Sequence, residues 1–223
     1  MKKLTMLKKN KPAILIHIKL NSQRLKGKNL KKIRNKPLYK VTFDKIKNHK
    51  KFFDIYIHSS SKIIQKISEN YKFHFLSRPK KLDLPDAQGN ELIMNCINRI
   101  DNEIIIQLFV TNPFIEVSTL KYIFKLLKNN SRTDSVTPVY PIYNRLWYKK
   151  KPINHKYNKL IGTQFMKPVF LESGVYCFRK TIFKKEKSRI CKKNELFEIS
   201  EFESFDIDTE LDFNIASKLI LKK

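Results

Sequence analysis

The sequence lacks any apolar run long enough to cross a membrane. Its most apolar stretches, Ala13–Ile16 and Ile104–Ile106, have the length of single strands, whereas a transmembrane helix needs about 20 apolar residues. The N-terminal residues Met1–Pro12 are basic and lack the apolar region of about 7–15 residues found in export signals. We therefore expect no membrane partner and no export signal, with Met1–Pro12 forming a short solvated lead-in.

Cysteine is scarce, and its spacing argues against two common structural devices. The three cysteines, Cys96, Cys177 and Cys191, form no CxxC pair and have no neighbouring pair of histidines. An odd number with this spacing argues against a disulfide framework and against a zinc site. We expect free thiols and a cytoplasmic location.

Arginine is also scarce, although the chain is strongly basic. Of 47 basic residues only 8 are arginine, the acidic residues number 20, and the formal net charge is +27. Arginine suits bidentate contacts with phosphates and guanines, and the lysines are spread along the chain instead of forming one stripe. We therefore expect a generally basic surface that favours anionic substrates, and no dedicated nucleic-acid site.

What is present is a regular alternation of strand and helix patterns. A hydrophobic share of 41% in 223 residues is enough for the core of one domain, 1–223. Apolar or alternating runs predict strands at Ala13–Ile18, Asp54–His58, Phe73–Leu76, Ile104–Val110 and Val169–Phe178. Helical patterns cover Pro37–Asn48, a segment capped by Ser59–Ser61 and ending at Asn70, Gly89–Ile100, Val117–Leu127 and Leu211–Leu221. This order predicts an α/β fold with a mainly parallel sheet covered on both faces.

A polar loop, Lys19–Asn29, follows the first predicted strand. Loops at the carboxyl ends of parallel strands carry function in such sheets, and a loop with a glycine can turn backbone N–H groups toward an anion. The spacing is neither a Walker A nor a GxGxxG motif, and a basic surface loop explains the pattern equally well. The side chains suited to phosphate or ribose are those of Ser22, Arg24, Lys26, Lys28 and Asn29.

A second polar segment, Phe205–Asp212, lies near the C-terminus. In an extended chain Asp206 and Asp208 point to the same side, so both carboxylates could bind one Mg²⁺ ion together with substrate phosphates. The alternative is helix capping, because Asp208, Thr209 or Asp212 could stabilise the N-terminus of the last helix without a metal.

The regular alternation ends at Ser135, where prolines and aromatic residues accumulate. This change predicts an insertion or arm, about 139–167. Its aromatic side chains could stack on a sugar or on cytosine, or they could bury a dimer interface. The residues concerned are Pro138, Pro141, Pro152, Pro168, Tyr140, Tyr143, Trp147, Tyr148 and Tyr157.

Two histidines lie within or at the end of predicted strands. His17 is expected to be a hydrogen-bonded core or rim residue rather than a catalytic base, since it lies within the first strand. His58 ends the second strand and could reach a cleft, although a structural role is the plainer interpretation.

The two polar segments occur together in the order seen in acylneuraminate cytidylyltransferases (CMP-sialic acid synthetases), which the sequence resembles. Asn21–Asn29 resembles the family's N-S-x-x-L-x-x-K-N loop, and Asp206–Asp212 resembles its D-I-D-T-x-L-D motif. Weaker matches between them are Lys36–Leu38, Arg78-Pro79, Thr111–Pro113 and Glu172–Tyr176. The resemblance extends roughly from Ala13 to the C-terminus.

The resemblance implies a Rossmann-like nucleotidyltransferase fold and a Mg²⁺-dependent reaction. CMP would pass from CTP to the C2 hydroxyl of a nonulosonic (sialic-type) acid, and pyrophosphate would leave. Such enzymes usually form homodimers through the insertion.

It also implies roles for particular residues. The catalytic residues would be Lys28, Asp206 and Asp208, with the two aspartates also binding the metal. The nucleotide would contact Lys19, Asn21, Ser22, Arg24, Gly27, Lys28, Asn29 and Arg78. The acid substrate would contact Gln107, Gln164, Glu172 and Tyr176.

The departures from the family pattern lie mostly on the sugar side. Leu84–Asn90 keeps little of the family's S-D-T-x-S stretch, and only Gln107 lies near an expected glutamine. The basic residue expected after the insertion falls near Gly162. A non-catalytic descendant that binds nucleotide or a polyanion is therefore the alternative. An octulosonate nucleotidyltransferase fits less well, because Lys28-Asn29 and Asp206–Thr209 match the sialic branch better.

Overall fold

A mixed, mainly parallel β-sheet organises the part of the chain that the structure describes. The structure is a computed structural model, and it describes residues 11–20, 22, 24–33 and 35–220. The strands are β1 (Ala13–His17), β2 (Lys32–Ile33), β3 (Lys36–Pro37), β4 (Asp54–Ser59), β5 (His74–Ser77), β6 (Ile104–Gln107), β7 (Ser135–Ile142), β8 (Trp147–Tyr148), β9 (Lys151–Pro152), β10 (Val169–Glu172), β11 (Tyr176–Arg179) and β12 (Asn194–Glu198).

Helices connect most of these strands. They are α1 (Leu38–Ile46), α2 (Lys62–Asn70), α3 (Gly89–Cys96), α4 (Val117–Asn129), α5 (Lys180–Glu186), α6 (Glu201–Ser204) and α7 (Glu210–Ile220), with short 3-10 turns at Lys47–His49, Lys80–Asp83, Ile97–Arg99 and Thr163–Phe165. The predicted helices ending at Asn48 and Ile100 therefore finish in 3-10 turns. Ser61 caps α2 as expected, because its hydroxyl oxygen accepts hydrogen bonds from the backbone N–H groups of Ile63 and Ile64.

The main sheet has eight strands, and its order runs from β5 through β4, β1, β6 and β11 to β7, with β10 and β12 also paired to β7. The four strands β5, β4, β1 and β6 are parallel to one another. Strand β11 is antiparallel to both β6 and β7, and β12 is parallel to β7. The predicted mainly parallel sheet is confirmed, with two reversed strands, β11 and β10, the latter antiparallel to β7.

Helices cover both faces of this sheet, which explains why β1 is apolar apart from His17. All five residues of β1 are buried, as a central parallel strand requires. Ile14 and Ile16 face the core formed with α1, α2 and α4. Ala13 and Leu15 face the core formed with α3 and α5. None of the helices within the described ranges combines the length and the apolarity that crossing a bilayer requires.

The arm begins later in the chain than the sequence predicts, because strand β7 continues to Ile142. The sequence places that start at Val139, but Val139 is buried within β7, so the segment outside the main sheet begins after Ile142. Pro138 fits a strand because residues 137 and 138 lie opposite a bulge, residues 173–176, where the ladder is interrupted. Pro141 lies beyond the last residue of β7 that pairs with β12, which is Val139. Proline thus occupies positions where its missing N–H leaves no ladder bond unmade.

The predicted strand Val169–Phe178 is present as two strands, β10 and β11, joined through the bulge. Gly174 in the bulge has a φ of +78°, and a Cβ there would lie 3.1 Å from Asn112 Oδ1. The left-handed backbone therefore favours glycine, and a side chain there would also press on Asn112. Besides β7, the elements missed from the sequence include α5 and β12, because their lysine-rich or charged residues hide the apolar pattern.

Candidate active site

A cleft of about 340 Å³ opens at the carboxyl edge of β1. Six of the residues predicted to contact nucleotide line it, namely Lys19, Ser22, Arg24, Lys28, Asn29 and Arg78. Tyr176, Asp206 and Asp208 line it as well. The structure thus brings the two polar segments of the sequence to one place, where parallel α/β sheets bind ligands.

Asp208 joins the loop to the C-terminal segment. Lys28 Nζ lies 3.0 Å from Asp208 Oδ1, and Arg24 Nη1 lies 2.6 Å from Asp208 Oδ2. Lys28 Nζ also donates to the carbonyl oxygen of Ile207 at 3.0 Å. The Lys28 side chain is only 16% exposed, so solvent screens this pair less than a surface ion pair.

A third apolar cluster explains why these distant segments meet. Phe213 and Ala216 of α7 pack with Leu25 of the loop after β1 and with Leu38, the first residue of α1. Ile207 is fully buried in the same cluster and separates the two aspartates. Its N–H donates to the carbonyl oxygen of Thr111 at 2.9 Å, which fixes the segment against the loop after β6.

Asp206 carries the perturbed carboxyl of the pair. The side chain is exposed to the cleft, but protein atoms surround its carboxyl, and this desolvation raises its pKa. The Asp208 carboxylate raises the pKa further, whereas a hydrogen bond with Thr111 and the charges of Lys28 and Arg24 oppose the shift. A group in this state gains from a nearby cation, because the cation would offset both the desolvation and the like charge.

Helix capping and cleft formation are divided between neighbouring residues. Asp212 Oδ2 accepts hydrogen bonds from the N–H groups of Asp208 and Thr209, at 3.1 and 2.8 Å, and the Thr209 hydroxyl accepts from the Asp212 N–H. Partial burial raises the pKa of Asp212, but these hydrogen bonds outweigh it and lower the pKa overall. Thr209 and Asp212 therefore cap α7, which leaves the Asp208 side chain to the cleft.

The loop itself is held by backbone geometry. Gly27 has a φ of +62°, and its carbonyl oxygen accepts hydrogen bonds from the N–H groups of Leu30 and Lys31. Asn29 is 6% exposed, and its amide donates to the carbonyl oxygen of Lys19 at 2.7 Å, closing the loop. Gly27 thus shapes the turn without lining the cleft, and Asn21 lies outside the described residues.

Arg78 lines the cleft and connects two neighbouring strand ends. Its guanidinium pairs with Asp83 and donates to the carbonyl oxygens of His58 and Ile18, at 3.3 and 3.1 Å. His58 is the penultimate residue of β4 and Ile18 directly follows β1, so the buried arginine ties the two strand ends together. A buried arginine without such partners would be costly.

His17 and His58 form a buried pair that the sequence did not indicate. They are opposite each other on β1 and β4, and their Nδ1 atoms lie 2.9 Å apart. With Asn95 Oδ1 as the acceptor 3.1 Å from His58 Nε2, the proton between the rings comes from His17. His17 Nε2 is then an acceptor, and it has no partner among the described residues.

Burial keeps both rings neutral. Burial lowers the pKa of His58 to about 4, and the positive charge of Arg78 is the next cause. Burial also lowers the pKa of His17, and the next cause is the electrostatic repulsion that a proton on His17 would meet from His58. His17 also lines the cleft. The pair therefore presents a neutral hydrogen-bond acceptor rather than a cation at neutral pH.

The residues predicted for the acid substrate lie in two places. Gln107 is fully buried, and the Tyr176 hydroxyl donates to Glu172 at 2.7 Å. Gln164 is exposed on the 3-10 turn of the arm and does not line the cleft.

Arg189, which no sequence pattern indicated, contacts two of these residues, Gln107 and Tyr176. Its Nη1 lies 3.1 Å from Gln107 Oε1, and its guanidinium lies 4.0 Å from the centre of the Tyr176 ring. The only sequence signal was its rarity, since it is one of 8 arginines.

Comparisons with known proteins identify two relatives of similar sequence. The chain is 24% identical over 215 residues to post-translational flagellin modification protein B of Campylobacter coli, covering 91% of this chain and 92% of that protein. It is 26% identical over 211 residues to a Helicobacter pylori protein named pseudaminic acid cytidylyltransferase and UDP-2,4-diacetamido-2,4,6-trideoxy-beta-L-altropyranose hydrolase, covering 90% of this chain but only 41% of that protein.

A solved structure shares the fold. A CMP:2-keto-3-deoxy-manno-octonic acid synthetase complexed with CTP superposes with a TM-score of 0.72 at 13% identity, covering 95% of this chain and 99% of that one. The sequence profile of the cytidylyltransferase family matches residues 13–214, almost the whole described chain. Because this match extends over more than half of the chain, the chain belongs to the cytidylyltransferase family.

Proposed function

We propose that this chain transfers CMP from CTP to a hydroxyl group of a nonulosonic acid, with release of pyrophosphate. Membership of the cytidylyltransferase family supports CTP as the donor. The name of the Helicobacter pylori relative, a pseudaminic acid cytidylyltransferase in part, supports a nonulosonic acid as the acceptor.

The observation that carries the proposal is the shared contact of Arg24 and Lys28 with Asp208. Cations suited to phosphate and a carboxylate suited to a metal ion meet in one cleft. With the nucleotide bound, the two cations would turn to the phosphates and release Asp208. The ion pairs of the free protein thus keep both sets of groups ordered before the nucleotide arrives.

The chemistry requires little covalent participation by the protein. The hydroxyl oxygen of the acid forms a bond to the α-phosphorus as the bond from that phosphorus to the bridging oxygen of pyrophosphate breaks, and the hydroxyl proton is released. Arg24, Lys19 and Lys28 line the cleft and would neutralise the phosphate charge that shifts to the leaving group. Neutralisation and orientation of an in-line attack account for catalysis of this kind.

The carboxylate pair fits a magnesium ion that is shared with the substrate. Within the described residues there is no group of three or more histidine, cysteine, aspartate or glutamate side chains that could hold a metal alone. Mg²⁺ usually takes one or two carboxylates and completes its shell with phosphates and water, and the raised pKa of Asp206 favours a nearby cation. Asp206 and Asp208 would hold the ion, which would neutralise charge on the phosphates.

The direct test is product formation by the purified protein. CTP, Mg²⁺ and one of several acids (pseudaminic, legionaminic or N-acetylneuraminic acid) are mixed, and pyrophosphate and the CMP-sugar are measured, with ATP and UTP as nucleotide controls. We expect product only with CTP and an acid. CTP binding by calorimetry without turnover of any acid would contradict the proposal and indicate a non-catalytic nucleotide-binding protein.

We also propose a homodimer formed through the arm, and a cytoplasmic location. Large apolar side chains of the arm are exposed, including Trp147 at 53%, Tyr157 at 65% and Phe165 at 76%. A second copy that covered them would also cover Gln164, which lies beside Phe165.

The proposed cytoplasmic location is supported by three free and buried cysteines, one of which, Cys191, has its pKa raised by burial to about 11.

A further inference from the structure

Arg189 is held in a fixed position beside the cleft. Its backbone N–H donates to Asn90 Oδ1 at 3.2 Å, and its Nη1 lies 3.1 Å from Gln107 Oε1. The guanidinium lies on the face of Tyr176, whose ring lines the cleft. Stacking and a hydrogen bond to a fully buried amide restrict a side chain that would otherwise be mobile.

Arg189 has no direct ion-pair partner among the described residues, and the Glu172 carboxylate is linked to it only through Tyr176, whose hydroxyl donates to Glu172 at 2.7 Å. By contrast, Arg78 pairs with Asp83. The side chain is half-buried, so water compensates the charge only in part. A half-buried and immobilised arginine without a carboxylate is suited to an anionic ligand.

Two unpartnered buried atoms accompany this arginine. Gln107 Nε2 is a donor and His17 Nε2 is an acceptor, and neither has a hydrogen-bond partner among the described residues. Gln107 is opposite Leu15 on the neighbouring strand, and His17 lies two residues further along the same face. Buried polar atoms usually have partners, and of the two residues His17 lines the cleft, so its unmet acceptor is the one that points to a polar ligand there.

The number and shape of the cationic side chains distinguish a site for a carboxylate from a site for a triphosphate. Arg24, Lys19 and Lys28 already provide several cations where the polar loop lines the cleft. Arg189 offers a single planar fork, which matches the two oxygens of one carboxylate. We infer that Arg189 binds the carboxylate of the acid acceptor and that Gln107 and Tyr176 position its guanidinium. This subsite sets the preference for an acid. The inference rests on the proposed function.

Gly89 provides the space that the guanidinium occupies. It is the first residue of α3, and a Cβ built there would lie 2.2 Å from Arg189 Nη1. Gly89→Ala must therefore displace the end of the arginine side chain while keeping its charge. Alanine favours the helix by about 0.5–1 kcal/mol relative to glycine, so the fold should be retained.

The test compares the Michaelis constants of four variants for the acid and for CTP. Arg189→Gln should raise the KM for the acid by about 10- to 100-fold, the usual value of a charged hydrogen bond. It should leave the affinity for CTP unchanged. Arg189→Lys keeps the charge but loses the fork, so its effect should be intermediate. Gly89→Ala should raise the KM for the acid without lowering Tm, and Arg132→Gln, which removes an exposed charge, should change neither constant.

A neutral analogue of the substrate distinguishes a direct role of Arg189 in binding the carboxylate from a merely structural role. The parent protein should prefer the acid to its carboxamide, and Arg189→Gln should lose this preference. An unchanged KM for the acid in Arg189→Gln overturns the inference and leaves the proposed function intact. An equal loss of CTP affinity also overturns it, because the arginine would then serve the nucleotide.

Failure of the proposed function gives a different result. If the parent protein makes no product, calorimetry with the same acids on the CTP-saturated protein replaces the kinetic comparison. Binding that depends on Arg189 would support the carboxylate subsite in a protein that is not the proposed enzyme. No binding of any acid by the parent protein would overturn both.

Discussion

Asp208 receives two cations, one on each carboxylate oxygen, at 3.0 Å from Lys28 and 2.6 Å from Arg24. Ordinary surface pairs contribute little to stability, and Arg24 is 70% exposed. The arrangement is therefore better explained by the ligand that these groups await than by stability. Asp206, with its raised pKa, adds a second carboxylate that a cation would stabilise.

We predict opposite effects of Asp208→Asn on catalysis and on metal-free nucleotide binding. Turnover should fall by about 100-fold or more, because a metal-binding carboxylate is lost. CTP binding without Mg²⁺ should become tighter, because Lys28 and Arg24 lose their competing partner. Pyrophosphate release and calorimetry measure the two effects, with Glu210→Gln as a control of equal charge at the exposed partner of Lys31. Equal losses in both measurements would contradict the assignment.

The histidine pair predicts a pH dependence of stability. The unfolded chain protonates His58 near its ordinary pKa of 6.5, whereas the folded chain protonates it at about 4. Stability should therefore be complete above about pH 6.5 and should decline as the pH falls toward about 4, since the unfolded state binds more protons in that window. Calorimetric Tm values of the parent and of the His17→Gln/His58→Gln double variant should show a flatter slope for the variant. The exposed His74→Gln variant should keep the parental slope.

At the scale of elements, α7 determines where the carboxylates lie. Its cap, formed by Thr209 and Asp212, orients the preceding segment, and Phe213 fixes the helix on the loop after β1. The bulge between β10 and β11 plays a similar part on the other side of the cleft. Gly174 in that bulge lines the cleft, and Asn112 beside it donates to the carbonyl oxygen of Ser173 at 2.8 Å.

Removal of the cap should cost stability in proportion to one capping interaction. Thr209→Val keeps the shape of the side chain but loses the hydroxyl that accepts from the Asp212 N–H. The free energy of unfolding should fall by about 1 kcal/mol, measured by chemical denaturation. Thr163→Val on the exposed arm should change it by less than half of that value. Equal losses in the two variants would show that the cap contributes nothing specific.

At the scale of the whole molecule, the arm presents the largest group of exposed apolar side chains outside the sheet. We predict that the parent protein elutes as a dimer and that Phe165→Glu shifts it to the monomer, measured by size-exclusion chromatography with light scattering. Ile63→Glu, at an exposed position of α2, should remain dimeric. A monomeric parent protein at micromolar concentration would refute the proposed arm interface.

The strand and helix alternation and the two polar segments could be read from the sequence, because they depend on local periodicity and on short motifs. Buried β1 is apolar apart from His17, and the capped start of α2 carries a serine, so both were predicted with small errors at their ends. Strand β7 was missed because its prolines suit a bulge and a strand end that exist only in the folded sheet.

The site divides in the same way. The sequence by itself determined that Lys28 and Asp208 are candidates for one site, since each lies in a recognisable segment. Only the tertiary structure decided that they meet, that His17 faces His58, and that Arg189 lies against Gln107 and Tyr176. These contacts join residues far apart along the chain, and their formation depends on the order of strands in the sheet, which no local pattern encodes.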